Sequence, residues 1–139
     1  MSISKGKAKW SGNLKQGKGE MAFSNYTGPY TFASRFESGE GTNPEELIGA
    51  ALAGCYSMFL SGLIGAEDLE PEIIETVAEV KLGKDDKGPL ITTIELDCQV
   101  KCAGLSESRF DELAKASKEG CPVSRLYKGT EIKLNARLI

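Results

Sequence analysis

The chain has 139 residues, 40% of them apolar and 27% charged, which is the size and composition of one soluble globular domain spanning 1–139. Its 17 basic and 20 acidic residues give a net charge of −3, so we expect no nucleic-acid partner. It contains no histidine, which excludes Ser-His-Asp and Cys-His catalysis and the common zinc enzyme sites.

Three short strands are predicted in the glycine-rich first third of the chain, over residues 5–10, 19–23 and 30–36. Turn-forming residues separate them: Gly12 with Asn13, Gly17, and Gly28 with Pro29. Consecutive strands joined by short turns favour an antiparallel meander.

A long helix is predicted over residues 44–63. Asn43 can cap it, Pro44 suits its first turn, and Glu46 stands where a capping box needs an acid. Apolar side chains cover most of the helical wheel, and such a helix is buried in a core or an interface. The polar cap argues against a membrane span, and we expect no membrane partner.

The second half of the chain predicts alternating strands over residues 72–82 and 90–102 around a turn at 85–88, then a helix over 106–119, a helical turn over 122–127 and a strand over 130–138. The layout βββ-α-ββ-α-β defines an α+β fold with mostly antiparallel sheets around a long buried central helix. The polar N-terminal residues lack an apolar signal segment, so we expect a cytoplasmic protein with free thiols.

The four cysteines are the chemical candidates, and they contain no CxxC pair. Cys98 and Cys102 fall on the inward face of a predicted strand, which is typical of small buried hydrophobes. Cys55, in mid-helix, fits a core residue and a reactive one equally well. Cys121 precedes Pro122 and can cap a helix, where the helix dipole stabilises a thiolate. Local electrostatics alone therefore favour Cys121 as the thiolate.

Four segments together resemble the OsmC/Ohr family of cysteine-based hydroperoxide reductases. They are residues 42–55, from Thr-Asn-Pro-Glu-Glu to Ala-Gly-Cys; residues 120–124, Gly-Cys-Pro-Val-Ser; residues 35–37, Arg-Phe-Glu; and the opening residues 6–12. They occur in the family's order along essentially the whole chain. The position of Arg-Phe-Glu and the short N-terminal segment are more similar to the OsmC branch.

The resemblance implies a thiol peroxidase that reduces organic hydroperoxides, and hydrogen peroxide less well. Cys55 would attack the peroxide and Cys121 would resolve the sulfenic acid as an intramolecular disulfide. Arg35 would stabilise the Cys55 thiolate, and Glu45 would orient Arg35 through a charge-assisted pair. The resemblance suggests a dithiol reductant such as dihydrolipoyl groups, and no metal or cofactor is implied.

The distance between Glu45 and Cys55 along the long helix bears on how two chains would assemble. Glu45 and Cys55 are ten residues apart, a rise of about 15 Å on one helix. Two chains with antiparallel helices would bring Glu45 of one beside Cys55 of the other. The resemblance likewise implies an intertwined homodimer with two equivalent sites.

The chain departs from the family pattern at several positions. Leu52 replaces a residue that is commonly polar or aromatic, and Tyr56 stands where phenylalanine is usual. Tyr56, Met58 and Phe59 are either core residues or the lining of an apolar substrate pocket near Cys55. Cys98 and Cys102 are additional thiols, and one of them near Cys121 would add a third thiol to the resolving step.

Two other functions remain open. One is a non-enzymatic dimeric protein that binds a small hydrophobe in an apolar groove, with Cys55 as a core residue. The other is a structural metal protein with four thiolate ligands, which the irregular cysteine spacing disfavours.

Overall fold

The computed structural model describes residues Met1–Ile139 as two compact units, Met1–Leu47 and Ile48–Ile139. In chain order the elements are β1 (Gly6–Ser11), β2 (Lys18–Phe23), β3 (Tyr26–Thr31), α1 (Phe32–Phe36), α2 (Pro44–Gly65), β4 (Ile73–Asp85), β5 (Gly88–Lys101), α3 (Glu107–Gly120), α4 (Pro122–Leu126) and β6 (Glu131–Leu138). Each unit holds one three-stranded sheet, so the predicted α+β class is confirmed.

The sheet of the first unit is the predicted antiparallel meander, in the order β1-β2-β3. Its third strand was placed wrongly, because Gly28 and Pro29 lie inside β3 and not in a turn. The reversal occurs earlier, at Ser24, whose φ of 47° is left-handed.

The strand predicted over residues 30–36 is also wrong, since its second half is helix α1. Thr31 caps this helix: its hydroxyl accepts from the Ser34 amide at 3.1 Å, and the Ser34 hydroxyl accepts from the Thr31 amide at 2.8 Å. This reciprocal pair gives the Thr31 and Ser34 amides hydrogen-bond partners within the segment. In a strand these amides would have needed carbonyl partners on an adjacent strand. Arg35 therefore lies on a helix and not at a strand end.

Helix α2 begins as predicted, with the Glu46 amide donating to the Asn43 carboxamide oxygen at 2.8 Å. It extends two residues beyond the predicted end, to Gly65. A stripe of side chains spaced four residues apart is fully buried: Leu52, Tyr56, Leu60 and Ile64. The predicted burial thus holds for one face, whereas Met58 on another face is 79% exposed in the single chain.

By length and composition alone α2 is able to cross a membrane, with a mean hydropathy of 1.8. The central helix of a globular core satisfies the same criterion. The buried stripe of α2, which packs into the core of the second unit, fits that second explanation.

The sheet of the second unit has the order β4-β5-β6. The β4–β5 pair is the predicted antiparallel hairpin, and its turn is closed by the Lys87 amide donating to the Asp85 carboxylate at 2.8 Å. The β5–β6 pair is parallel, because α3 and α4 form the crossover that a parallel connection requires. Inward side chains of β5 and α3 complete the core with the α2 stripe: Ile94, Leu96, Cys98, Val100, Phe110, Leu113 and Ala114.

Two valines of this sheet allow a matched test of the core. Val100→Ala removes two methyl groups from a side chain with 0% exposure, and we expect a loss of about 2 kcal/mol in the free energy of unfolding. Val77→Ala makes the same change at a side chain that is 61% exposed, and we expect a loss below about 0.5 kcal/mol. Urea unfolding measures both; equal losses would contradict this description of the core.

Candidate active site

A close approach between α2 and the end of α3 brings two cysteines together. Gly120 has no side chain, and a Cβ at this position would lie 2.8 Å from the Phe59 ring. The ring therefore packs directly on the Gly120 backbone. Cys55 lies one helical turn before Phe59, on the same side of α2. The same approach consequently places the Cys55 thiol against Cys121, the residue that follows Gly120.

Cys121 stands at the junction of two helices. Its amide donates to the Ser117 carbonyl of α3 at 3.0 Å, and its sulfur accepts from the Ser124 amide of α4 at 3.4 Å. The prediction that Cys121 caps the following helix is thus confirmed. The residue is fully buried, whereas Cys55 is only partly buried.

The two thiols have shifted and mutually dependent acidities. Burial raises the pKa of Cys121, but hydrogen bonds from the Cys55 thiol and from the Ser124 and Val123 amides, together with the Ser124 hydroxyl beside the sulfur, outweigh burial, so the pKa falls below its ordinary value. Burial raises the pKa of Cys55, and the hydrogen bond that its thiol donates to Cys121 raises it further. When the pair loses one proton, the negative charge is therefore more stable on Cys121 than on Cys55.

The two sulfurs differ in exposure and in acidity, and these differences suit them to different chemical steps. A solute reaches Cys55 first, because Cys121 has no exposed surface. Both residues are free thiols, and their contact allows them to join as a disulfide with the loss of two electrons and two protons.

The other two predicted site residues form a pair in the first unit. The Arg35 guanidinium donates from Nε and Nη2 to both oxygens of Glu45, at 2.7 to 3.2 Å. Glu45 is 8% exposed, and the side chain of Arg35 is 35% exposed. A fork of this kind fixes the orientation of the guanidinium more strictly than a single contact would. The predicted charge-assisted pair is thus present.

Arg35 also lines a cleft of about 240 Å³ within the first unit. The rest of the lining is mainly aromatic: Trp10, Leu14, Tyr30, Thr31, Phe32 and Phe36. The guanidinium carbon lies 5.1 Å from the centre of the Phe36 ring, within the range of a cation–π contact. The cleft can accept an apolar group beside one positive charge.

The additional thiols lie away from this chemistry. Cys98 is fully buried beside Tyr56 and Thr76, and burial raises its pKa. The Cys102 thiol points to the Ala103 carbonyl at 3.8 Å. Both are the small buried residues that the strand pattern predicts, and neither is among the groups that act on Cys121. The structure places no third thiol at the resolving step.

Tyr56, Met58 and Phe59, offered by the sequence as core residues or as the lining of a pocket near Cys55, do not share one environment. Tyr56 is fully buried in the core, and its hydroxyl donates to the Ala114 carbonyl at 3.4 Å. Leu52, the other departure from the family pattern, belongs to the same buried stripe. Met58 is exposed, and Phe59 packs on Gly120. The core explanation is therefore correct for Tyr56.

Ser124 was missed as a site residue by the sequence analysis. Its amide and its hydroxyl both act on the Cys121 sulfur. The available signal was its spacing, since the third residue after a helix cap has its amide directed at the capping side chain.

No group of three or more Cys, Asp or Glu side chains is arranged to hold a metal ion. The candidate site is built on the Cys55 and Cys121 thiols. The fold is an α+β arrangement of two three-stranded sheets with a long helix. Comparison with known proteins identifies the family that has this fold.

Residues 37–136 match the family described as OsmC-like protein. The chain is 45% identical to the peroxiredoxin OsmC of Escherichia coli over 137 residues, covering 96% of this chain and 95% of the relative. It is 34% identical over 92 residues to the organic hydroperoxide resistance protein OhrA of Bacillus subtilis, covering 65% of this chain and 62% of that protein. An OsmC-like protein of unknown function from Vibrio cholerae has the same fold, with a TM-score of 0.79 at 19% identity over 98% of this chain and 99% of the other. The chain belongs to the OsmC family.

The contact between Cys55 and Cys121 predicts a specific disulfide. Mild oxidation with diamide should lower the number of titratable thiols from four to two, because Cys98 and Cys102 contact neither partner. Peptide mass spectrometry should recover one linkage, Cys55 to Cys121. The Cys98→Ser variant should keep this linkage, and a linkage that includes Cys98 or Cys102 would contradict the placement of the pair.

The Arg35–Glu45 pair predicts a local contribution to stability. Glu45→Gln keeps the shape of the side chain but removes its charge, and we expect a loss of about 1 kcal/mol, since Arg35 is partly exposed. Glu40→Gln makes the same change at an exposed residue and should cost little. Urea unfolding measures the loss of stability in both variants. An equal loss in the two would show that the Arg35–Glu45 hydrogen bonds add no stability.

Proposed function

We propose that this protein is a thiol peroxidase that reduces organic hydroperoxides through Cys55 and Cys121. The contact between a partly exposed and a fully buried thiol carries the proposal, because it supplies an accessible nucleophile with a resolving partner. The relatives named as a peroxiredoxin and as an organic hydroperoxide resistance protein support the same class, an oxidoreductase of the peroxidase type.

In the first step the Cys55 thiol passes its proton to the Cys121 thiolate that it contacts. The Cys55 thiolate attacks the terminal peroxide oxygen, and the O–O bond breaks. The departing alkoxide takes up the proton that Cys121 had accepted and leaves as an alcohol, which returns Cys121 to its thiolate form. Cys55 is oxidised by two electrons to a sulfenic acid, and the hydroperoxide is reduced.

In the second step the Cys121 thiolate attacks the Cys55 sulfur. The S–S bond forms as the sulfenic oxygen leaves and takes up a proton to become water. Cys121 suits this task because its lowered pKa favours the thiolate form and its burial keeps peroxide away from it. A dithiol, for which we retain the dihydrolipoyl type, then reduces the disulfide by two successive exchanges.

We assign to Arg35 the stabilisation of the Cys55 thiolate and the polarisation of the peroxide oxygen. A guanidinium can do what a histidine does in other cysteine enzymes, and the chain has no histidine. The Glu45 fork supports this assignment, because it holds the positive charge in one orientation. The aromatic cleft beside Arg35 favours hydroperoxides with an alkyl or aryl group.

The functional unit we propose is a homodimer of single-domain chains, 1–139. Glu45 binds Arg35 of its own chain, and ten residues of helix, about 15 Å, separate Glu45 from Cys55. Antiparallel α2 helices of two copies would bring the Arg35–Glu45 pair of one to Cys55 of the other. The exposed side of α2 that carries Gly54 and Met58 is apolar enough to serve as the interface. A reducing, cytoplasmic location would suit a thiol site whose disulfide must be reduced in every cycle.

A second candidate function is the binding of a small hydrophobe without catalysis. The aromatic cleft of about 240 Å³ favours it, since that cleft alone requires neither cysteine. The two functions differ in their dependence on Cys55, and peroxide consumption distinguishes them.

The test is the reduction of cumene hydroperoxide with dithiothreitol as the reductant. We expect the wild type to turn over, Cys55→Ser to fall to the uncatalysed rate, and Cys121→Ser to stop after about one turnover with an over-oxidised Cys55. Cys98→Ser and Cys102→Ser are the matched controls and should retain turnover, because neither thiol contacts the pair.

Two results would contradict the assignment. Activity that survives in Cys55→Ser but not in Cys121→Ser would make Cys121 the attacking thiol. A wild type that consumes no hydroperoxide with any dithiol would favour the binding function.

A further inference from the structure

Two buried hydroxyls flank Cys121 without a hydrogen-bond partner. They belong to Ser117, which is 0% exposed, and Ser124, which is 5% exposed. A buried hydroxyl normally finds a partner, because leaving one unpaired forfeits the hydrogen bonds it made with water. Each exception therefore calls for an explanation.

The surroundings of the two hydroxyls differ. The Ser124 hydroxyl lies beside the Cys121 sulfur but makes no hydrogen bond of normal geometry to it, whereas the amide of the same residue donates to that sulfur at 3.4 Å. Ser117 contributes only its carbonyl to Cys121, which accepts the Cys121 amide at 3.0 Å. Its hydroxyl is not among the groups that act on the sulfur. Ser117 is thus a natural control for Ser124.

We propose that the Ser124 hydroxyl is a hydrogen-bond donor reserved for the Cys121 thiolate, and that it speeds the departure of Cys121 as the leaving group when the Cys55–Cys121 disulfide is reduced. A neutral thiol or a disulfide sulfur is a weak acceptor, so the hydroxyl remains unpaired in those states. A thiolate is a strong acceptor, so the hydroxyl gains its partner only when Cys121 is ionised. The donor thereby stabilises one redox state of the site over the other.

The charges around Cys121 make this donor important. The groups that lower its pKa are hydrogen-bond donors, namely Cys55, Ser124 and the Val123 amide, and no charged side chain is among them. Burial opposes ionisation, so the thiolate depends on these few donors. Ser124 supplies two of them, and the one from its side chain can be removed by substitution while both reactive thiols are kept.

The consequence for reduction rests on the proposed function. A dithiol can reach Cys55 but not the fully buried Cys121. Its thiolate attacks the Cys55 sulfur, a new S–S bond forms there, and the electron pair of the old bond leaves with Cys121. The second thiol of the reductant then displaces Cys55 and leaves as part of a cyclic disulfide. A better-stabilised Cys121 thiolate is a faster leaving group.

The first test measures acidity and requires no peroxidase activity. Thiolate absorbance at 240 nm is followed against pH in the Cys55→Ser protein, with Cys55→Ser/Cys121→Ser subtracted to remove Cys98 and Cys102. Adding Ser124→Ala should raise the Cys121 pKa by about 1 unit, since it deletes the hydroxyl but keeps the amide donor. Adding Ser117→Ala should leave the midpoint unchanged. An unchanged midpoint in Ser124→Ala, or equal shifts in both variants, overturns the proposal.

The second test measures reduction in the protein with all four cysteines. The diamide-oxidised protein is mixed with dithiothreitol, and the return of thiols is timed. Ser124→Ala should be reduced roughly threefold more slowly than the wild type, whereas Ser117→Ala should match the wild type. Equal rates in Ser124→Ala and the wild type would remove the leaving-group role. Because neither test uses a hydroperoxide, a failure of the peroxidase proposal would appear separately, as absent turnover in the wild type.

Discussion

The packing of α2 against the second sheet is the interaction on which the site depends. Leu52, Tyr56, Leu60 and Ile64 commit one stripe of the helix to the core, and this fixes the rotation of the helix about its axis. Once that rotation is set, Cys55 must point to the side of the stripe where Phe59 meets Gly120. The reactive thiol is thus positioned chiefly by apolar burial, to which α2 adds two hydrogen bonds, from the Tyr56 hydroxyl to the Ala114 carbonyl and between the Ser57 and Thr76 hydroxyls. Burial of four large side chains contributes several kcal/mol, far more than the contact between two thiols.

This packing meets two opposing requirements of the proposed thiol site. A nucleophile must be reachable and a resolving thiol must be both near and protected. Placing Cys55 at the margin of the buried stripe and Cys121 beneath it meets both conditions with one helix–helix approach. The two shifted acidities follow from the same arrangement, since the deeper sulfur receives the amides at the start of α4 and the shallower one donates its proton inward.

Much of this arrangement was predictable from the sequence, because strong local signals and tertiary demands agree. The Asn43 cap, the alternation along β4 and β5, and the cap at Cys121 all appear as predicted. The strand over 30–36 failed because alternating aromatic residues mimic a strand, while the deciding signal was the reciprocal pair of Thr31 and Ser34. The role of Ser124 was predictable from its position three residues after the Cys121 cap, whereas the contact of Phe59 with Gly120 was not, since that contact depends on how distant segments meet. The choice of Cys55 as a reactive residue came from family resemblance and not from its spacing.

The parallel pairing of β6 with β5 has a consequence for the order in which the molecule assembles. β4 and β5 are adjacent in the chain and can pair as a hairpin early, whereas β6 must wait until α3 and α4 have crossed over. Until then one edge of β5 presents unpaired backbone groups beside an apolar face that includes Leu96 and Val100. The last strand therefore closes an edge that would otherwise be open to intermolecular strand pairing. Its arrival is the step at which a nascent chain ceases to be prone to aggregation at this edge.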